Sequence, residues 1–339
     1  MTEITQELRQ RSKALLQDGE VDQVIGWSEG TFFWQARPLF VTDPGEVGRL
    51  ACPPTSRSNL VKYMVDVVRP GHGQQRKERT AIWTRGCDAR ALSRLITDGI
   101  VKRDDVHILG FHCPGVVSPE NLRNALGESG RILSVTWEDG TSEDLHLVVQ
   151  TEEREVRVAA SEVLEDRCLN CTHPEPVIYD ELIGEPVRHP AERDRGFAGA
   201  RELENLDVDE RFAFWARHFD RCIRCYACRN VCPACNCKEC VFDSDLPDQP
   251  DWLSKASTLS EKQIYHLIRA FHVAGRCIEC GQCERVCPMD IPLTDLVMKA
   301  ASDIEELFGP HEAGLDPDEV PPLQTYRKED PELEGGNQS

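Results

Sequence analysis

Two stretches near the C-terminus decide the fold of this region: CIRCYACRNVCP at residues 222–233 and CIECGQCERVCP at residues 277–288. Both follow the pattern C-x2-C-x2-C-x3-C-P, with three closely spaced cysteines and a fourth that directly precedes a proline. Thiolates separated by two residues suit the chelation of a soft metal better than the closure of disulfides. The pattern occurs twice in one chain, which indicates a doubled metal-binding unit.

Bacterial ferredoxins use this pattern to hold [4Fe–4S] clusters, and the cysteine before proline ligates the other cluster of a pair. We therefore predict two clusters. Site one is formed by Cys222, Cys225, Cys228 and Cys287, and site two by Cys277, Cys280, Cys283 and Cys232. Gly281 and the small Ala227 fit the tight turn that directs backbone amides toward sulfide. A zinc site is the alternative, although zinc takes four ligands per ion and rarely uses such a run.

An amphipathic helix is predicted before each run. The segments RELENLDVDERFAFWARHFDRC and LSEKQIYHLIRAFHVAGRC both place apolar residues at helical spacing, and this spacing fills much of the long interval between Cys232 and Cys277. The region resembles the α-helical ferredoxin domains of heterodisulfide reductase and of succinate dehydrogenase iron–sulfur subunits, and RCIECGQCERVCP in particular looks like their cluster runs. A compact β-rich ferredoxin is the alternative fold.

An α/β region precedes the helical one. Thr80–Thr84 and Val106–Phe111 are predicted strands, joined by a helix that we expect to begin with Asp88 as its N-cap and to stop at Gly99. This spacing predicts a parallel βαβ unit. A hairpin around Glu138-Asp139-Gly140 is expected between the alternating segments ILSVTW and LHLVV.

The whole pattern predicts an α+β multidomain protein, in which an N-terminal and middle α/β part is followed by a mainly α-helical two-cluster ferredoxin domain. The predicted domains are a mixed N-terminal region at 1–75 with a helix near 4–18, an α/β domain at 76–195, the ferredoxin domain at 196–308, and an acidic extension at 309–339. We expect the extension to be solvated or to act as a strap across a partner.

Four further cysteines predict a third site. Cys87 and Cys113 each follow a predicted strand, and Cys168 and Cys171 form a separate C-x-x-C. In an open parallel sheet the carboxyl ends of neighbouring strands open into one crevice, so Cys87 and Cys113 are expected to lie close together. The helix that begins after Cys87 would offer positive potential to an anionic cluster. The alternative is a pair of structural cysteines with an unrelated zinc half-site or redox pair.

The motifs GCDARAL, FHCPG and CLNC, together with IYDELIGEPV, resemble the β subunit family of deazaflavin-coenzyme-reducing hydrogenase and formate dehydrogenase. The resemblance covers roughly residues 80–185. It implies a third [4Fe–4S] cluster at Cys87, Cys113, Cys168 and Cys171, defined here as site three, beside an FAD that exchanges electrons with the coenzyme. Two features depart from the family: a ferredoxin module follows the family-like domain, and the chain has no Gly-rich dinucleotide fingerprint.

The remaining candidates are less specific. Cys235, Cys237 and Cys240 could form an extra metal site with Cys52 or a histidine, or they could be thiols that shield a cluster. His112 and His173 are placed to donate hydrogen bonds to cluster sulfur, although such residues are more often ordinary core or surface histidines. Arg85, Arg90 and Arg224 could offset cluster charge, although arginines on helices are usually solvated.

Composition limits the function further. The chain has 339 residues, 16 cysteines and a formal net charge of −20, which argues against a nucleic-acid partner because phosphate binding requires a basic face. The sequence shows no long apolar stretch and no apolar signal core at its N-terminus, so we expect a cytoplasmic protein without a membrane span.

No constellation for general acid–base or nucleophilic catalysis stands out, so the sequence predicts one-electron transfer. We expect an iron–sulfur electron-transfer subunit of a larger cytoplasmic oxidoreductase complex. The resemblances imply a hydrogenase, formate dehydrogenase or heterodisulfide-reductase-like assembly in an anaerobe. The alternative is an FAD-containing subunit that itself reduces or oxidises a soluble carrier, either a deazaflavin or a nicotinamide. A zinc-dependent binding module is the third hypothesis.

Overall fold

The computed structural model describes residues 2–69, 79–127, 130–138, 145–185, 195, 197–238, 240–242 and 257–324. The protein has the predicted mixed architecture, with two β-sheets in the N-terminal and middle part and helices in the C-terminal part. Within the described ranges, none of the helices combines the length and the hydropathy that a bilayer-spanning segment requires.

The larger sheet has five strands: β1 (Gln23–Glu29), β2 (Ala36–Val41), β3 (Thr80–Thr84), β4 (Val106–Phe111) and β8 (Glu181–Ile183). Their order is β2-β1-β3-β4-β8, with β1 and β2 antiparallel and the other neighbours parallel. All residues of β3 and β4 are buried, as expected of central parallel strands. The predicted βαβ unit is confirmed, and the sheet also includes strands from the predicted N-terminal region.

Three helices belong to this part: α1 (Thr2–Gln17), α2 (Lys62–Val68) and α3 (Gly86–Thr97). The predicted start of α3 is wrong. The helix begins at Gly86 with Arg85 as its N-cap, and Asp88 occupies the third helical position. There its carboxylate accepts a hydrogen bond from the backbone amide of Arg85 at 3.1 Å. Asp88 therefore stabilises the helix start from inside the first turn, because Arg85 is the last extended residue after β3.

The smaller sheet is an antiparallel meander of β5 (Ile132–Trp137), β6 (His146–Thr151) and β7 (Glu155–Ala159). The pairing of β5 with β6 confirms the predicted hairpin, although its turn at 139–144 lies outside the described residues. Helix α4 (Pro119–Leu126) and the short helix α5 (Ala160–Val163) contribute to the same core. The next helical turn, α6 (Asp166–Leu169), contains Cys168.

The C-terminal part is helical: α7 (Ala198–Glu204), α8 (Val208–Asp220), α9 (Ala227–Asn230), α10 (Leu259–Val273), α11 (Gln282–Arg285) and α12 (Leu293–Phe308). The segment predicted before the first run is divided between two helices, because Asp207 caps a new helix start and α8 begins at Val208 after α7 has ended at Glu204. Helix α10 is the one predicted before the second run, and the short helices α9 and α11 lie inside the runs. Cysteines form part of the core here, since Cys222, Cys228 and Cys283 pack with Phe219 and Tyr265.

The segment after α12 is not a solvated extension as far as residue 324. It crosses helix α3: Arg90 Nε donates to the Ala313 carbonyl at 3.1 Å, and Thr97 Oγ1 donates to the Pro317 carbonyl at 2.8 Å. The approach at Gly314 is close, because an added Cβ would lie 2.2 Å from the Arg90 carbonyl oxygen. The segment is thus a strap across this chain's own α3, and residues 325–339 lie outside the described part.

Candidate metal centres

The two cysteine runs fold into the same loop. In each run the residue before the second cysteine is left-handed, with φ of 52° at Arg224 and 58° at Glu279. The residue after the second cysteine is also left-handed, with φ of 59° at Tyr226 and 67° at Gly281. Ala227, predicted for this turn, is instead the first residue of α9. The turn therefore uses Tyr226 in one run and glycine in the other.

Backbone amides point at sulfur in all three sites. The amide of Arg224 donates to Cys222 Sγ at 3.3 Å, and the amide of Glu279 donates to Cys277 Sγ at 3.4 Å. Gly115, with φ of 111°, donates in the same way to Cys113 Sγ at 3.4 Å. Amide donors to ligand sulfur stabilise its negative charge and raise the reduction potential of a cluster.

Site two surrounds one buried cavity. Its walls include the four assigned cysteines, Cys232, Cys277, Cys280 and Cys283, together with the guanidinium of Arg269. The cysteine before proline in the first run thus lies with three cysteines of the second run, as the sequence predicts. Burial raises the pKa of the Cys283 thiol to about 12, so its ionised form needs a bound cation or metal to persist.

Site one lies at the edge of the helical core. Cys222 and Cys228 are buried, Cys287 packs against the same core, and Cys225 is exposed. Burial and the electrostatic influence of Cys228, Cys287 and Cys225 raise the pKa of Cys222, so the four assigned cysteines share one neighbourhood. The hydroxyl of Tyr265 lies 3.4 Å from Cys228 Sγ.

Site three is formed where the two central strands of the large sheet end. One cavity is lined by Cys87 at the start of α3, Cys113 after β4, and Cys168 with Cys171 from the segment around α6. Burial, together with the Asp88 carboxylate, raises the pKa of the Cys87 thiol. The predicted convergence of these distant cysteines is therefore present in the fold.

Gly86 is a steric requirement of site three, because the chain that follows Cys171 passes directly over it. A Cβ at this position would lie 1.9 Å from the His173 carbonyl oxygen and 2.9 Å from that of Glu175. Both obstructing atoms belong to the backbone, so the segment must move for any side chain to fit.

We expect Gly86→Ala to lower the free energy of unfolding by about 1–3 kcal/mol through overpacking, and to lower the iron content by roughly four atoms per chain, one cluster. Anaerobic thermal unfolding and iron analysis measure the two effects. Gly48→Ala is the matched control, since no atom lies within 4 Å of its added Cβ. Wild-type iron content in Gly86→Ala would contradict the assignment.

The donors around these cavities suit an anionic group. Arg90 Nη2 and Thr172 Oγ1 at site three, and Arg269 Nε at site two, are buried and have no hydrogen-bond partner among the described residues. An unsatisfied buried donor is costly unless a ligand accepts from it. Thiolate sets with surplus cationic donors fit [4Fe–4S] clusters, which are anionic when held by four cysteines.

In the described ranges, no group of three or more His, Cys, Asp or Glu side chains is close enough to hold one metal ion. A cubane differs from a single ion, because each of its four thiolates binds a separate iron and the sulfur atoms therefore stand farther apart. None of the 16 cysteines forms a disulfide.

The three sites form a row. Cys280 belongs to site two and also lines the cavity of site three. At the other end, Cys283 of site two packs in the same core as Cys222 and Cys228 of site one. Site two therefore lies between the other two.

The other sequence candidates are dispersed. Cys235 packs beside Cys232, whose pKa is lowered by a hydrogen bond from Cys235. Cys240 packs against the Phe219 core, and Cys237 is exposed. Cys52 belongs to the core of the large sheet. The structure thus places these four cysteines in different surroundings, and their proposed metal site gains no support from it.

Of the predicted histidines, His173 lines the cavity of site three, and its Nε2 lies 2.7 Å from Glu312 Oε2. This hydrogen bond and the nearby Arg195 lower the pKa of Glu312 to about 2. His112 Nδ1 lies 3.3 Å from Glu175 Oε1. Neither contact is directed at a cysteine.

The predicted arginines differ in what they contact. Arg85 lines site three, but its guanidinium binds Asp88 at 2.8 Å and two backbone carbonyls. Arg90 lines the same cavity. Arg224 stacks over Tyr226 and Tyr265 near site one. Arg269 and Arg285 were not among the predicted site residues, because an arginine on a helix is most often solvated and nothing in the sequence distinguishes these two.

Comparison with known proteins agrees with this picture. The family model "4Fe-4S dicluster domain" matches residues 218–291. The F420-dependent formate dehydrogenase subunit beta of Methanocaldococcus jannaschii is 25% identical over 368 residues, covering 92% of this chain and 92% of that protein. The F420-dependent formate dehydrogenase 1 subunit beta of Methanococcus maripaludis is 26% identical over 371 residues, covering 91% and 90%.

Among solved structures, a chain of the F420-reducing [NiFe] hydrogenase complex from Methanosarcina barkeri aligns with 48% of this chain and 57% of that chain, at 16% identity. Its TM-score of 0.37 is too low to bear on the fold. The full-length relatives and the matched domain confirm both the predicted resemblance and the iron–sulfur character of the C-terminal region. The chain is thus an iron–sulfur protein with a 4Fe-4S dicluster domain, similar along nearly its whole length to the beta subunits of F420-dependent formate dehydrogenases.

Proposed function

We propose that this chain relays single electrons through three [4Fe–4S] clusters, held at site three, site two and site one in that order. The observation that carries the proposal is the row of twelve cysteines, in which the middle group adjoins both of the others. A cubane held by thiolates supplies reversible one-electron chemistry, with a potential set by hydrogen bonds, burial and nearby charge.

The residues around the row suit this task. Amides of Arg224, Glu279 and Gly115 donate to ligand sulfur, and aromatic side chains such as Tyr265 exclude water from the core beside site one. At the outer end of the row, Cys225 is exposed. Site one is therefore the end at which electrons enter or leave through the surface of the helical part.

We further propose that the chain is a subunit of a larger oxidoreductase complex of the formate dehydrogenase type. The support is that the two full-length relatives are named as beta subunits of F420-dependent formate dehydrogenases. The cytoplasm of an anaerobe is the expected location.

The same names favour one alternative, that this subunit itself exchanges electrons with the deazaflavin carrier F420. The FAD that such an exchange would use is implied only by the resemblance of the α/β region. A flavin absorption band in the purified chain, with carrier-dependent reduction of a dye, would support the alternative. A flavin-free preparation that still transfers electrons between added dyes would favour the relay.

Cys87→Ser tests the relay. The variant should lose about four of roughly twelve iron atoms, and the spin coupling between the clusters at sites two and three should disappear from the electron paramagnetic resonance spectrum of the reduced protein. The coupling between sites one and two should remain, because their ligands are untouched. Cys237→Ser is the matched control, since Cys237 is exposed and belongs to none of the three sites.

Unchanged iron in Cys87→Ser would remove site three from the relay. Loss of iron without any loss of spin coupling would show that the clusters are bound but not arranged as neighbours, which would contradict the proposed order.

A further inference from the structure

Two arginines lie between neighbouring sites of the row, and we call these positions junctions. Arg269 lies at the junction of sites one and two, and Arg285 at the junction of sites two and three. Arg269, on α10, is 3% exposed and lines the cavity of site two with Cys232, Cys277 and Cys283. Its Nη2 donates to the backbone carbonyl of Cys228, a residue of site one, at 3.0 Å. One guanidinium therefore contacts both site one and site two.

Arg285, at the end of α11, has the same relation to the next junction. It lines the cavity that contains Cys87 and Cys168 of site three together with Cys280 of site two. Its Nη2 donates to Gln282 Oε1 at 3.0 Å. Glu165, which is paired with Arg57 at 2.8 Å, contributes a nearby negative charge. The Nε–H groups of Arg269 and Arg285 are both buried without a hydrogen-bond partner among the described residues.

Arg85 provides a contrast, because its positive charge is neutralised by a buried carboxylate. It lines site three alone, and its charge is balanced by Asp88 at 2.8 Å, with both side chains buried. The two junction arginines instead carry a buried Nε–H without a partner and a permanent charge beside cysteines of two sites at once. A guanidinium stays protonated in proteins, so this charge is constant at every working pH.

Resting on the proposed relay, we propose that Arg269 and Arg285 set the reduction potentials of the clusters in pairs. Each arginine raises the potentials of the two sites that it separates, because a buried positive charge favours the more negative, reduced state on both sides. Site two lies beside both arginines. It therefore receives both contributions, which makes it the readily reduced centre of the row.

The test is an anaerobic redox titration of the full, cluster-loaded chain, followed by electron paramagnetic resonance. Signals are assigned to sites from the spectra of Cys225→Ser for site one and Cys87→Ser for site three. Arg269→Gln should lower the potentials of sites one and two and leave site three unchanged. Arg285→Gln should lower the potentials of sites two and three by more than that of site one, because Arg285 shares one cavity with Cys87, Cys168 and Cys280 and a separate cavity with Cys287 of site one. Arg217→Gln, at an exposed position of α8, should shift none of them.

Equal shifts at all three sites, a shift at one site alone, or no shift would overturn the proposal. Should a glutamine variant lose iron, the corresponding lysine variant decides, since it keeps the charge: potentials near those of the wild type support the proposal, and a fall in both neighbouring potentials contradicts it. Iron analysis of the wild type separates this outcome from failure of the relay, which would show as fewer than three reducible clusters before any substitution.

Discussion

Removal of iron should unfold the helical C-terminal part and leave the five-stranded sheet folded. The cysteines are structural members of the helical core, where Cys222, Cys228 and Cys283 are buried with Phe219 and Tyr265. The large sheet instead buries aromatic and aliphatic side chains, and Cys52 is the buried cysteine among the described residues of its core. Since cluster ligands are not preformed in an unfolded chain, the free energy of cluster binding is also free energy of folding.

Hydrogen exchange measured before and after anaerobic chelation distinguishes the two parts. Amides of α8 and α10 should lose their protection when iron is removed, while amides of β3 and β4 should keep theirs. Reconstitution with iron and sulfide should restore protection in the helices. Helices that stay protected in fully iron-free protein would show that their packing does not depend on the clusters.

Glu279→Gln should also have a large effect, because Glu279 joins the loop of site two to the segment that supplies site three. Its side chain is 1% exposed, and its carboxylate binds Arg167 at 2.8 Å and also binds Arg195. Arg167 directly precedes Cys168, and its Nε also donates to the Glu279 carbonyl at 2.5 Å. The variant leaves Arg167 without this counter-charge, while Arg195 keeps its ion pairs with Glu305 and Glu312. Breaking such a buried pair costs about 3–5 kcal/mol.

Glutamine has the same shape as glutamate and would occupy the same left-handed backbone position, with φ of 58°. The variant therefore removes only the negative charge. We expect a lower temperature of thermal unfolding and partial loss of iron from site three, measured anaerobically. Glu306→Gln, at an exposed position of α12, is the control and should leave both quantities unchanged. A wild-type unfolding temperature in Glu279→Gln would show that the ion pairs do not hold the two segments together.

The ligand runs were predictable because cluster binding is a local constraint: the loop that surrounds a cubane fixes the spacing of its cysteines within twelve residues. Strands β3 and β4 were predictable because buried parallel strands are short apolar runs. Site three could be anticipated as well, since strand ends in a parallel sheet meet at one edge. The C-x-x-C at Cys168 and Cys171 offered the second pair of ligands, and the family resemblance implied the full set of four.

Features that depend on distant contacts were not predictable. Glu279 binds partners that are 84 and 112 residues away along the chain. The strap contacts residues of α3 that lie more than 200 positions earlier in the sequence. An acidic, Pro-rich segment looks solvated when its docking surface is unknown. Tyr226 occupies a left-handed position that favours glycine, and the cation–π contact of Arg229 with its ring accompanies this exception.

Metal and sulfide analysis of anaerobically purified protein tests the central claim most directly. Three four-cysteine sites predict a brown protein with roughly twelve iron and twelve sulfide per chain and no zinc. A colourless preparation that contains zinc in place of iron would contradict the account of all three sites.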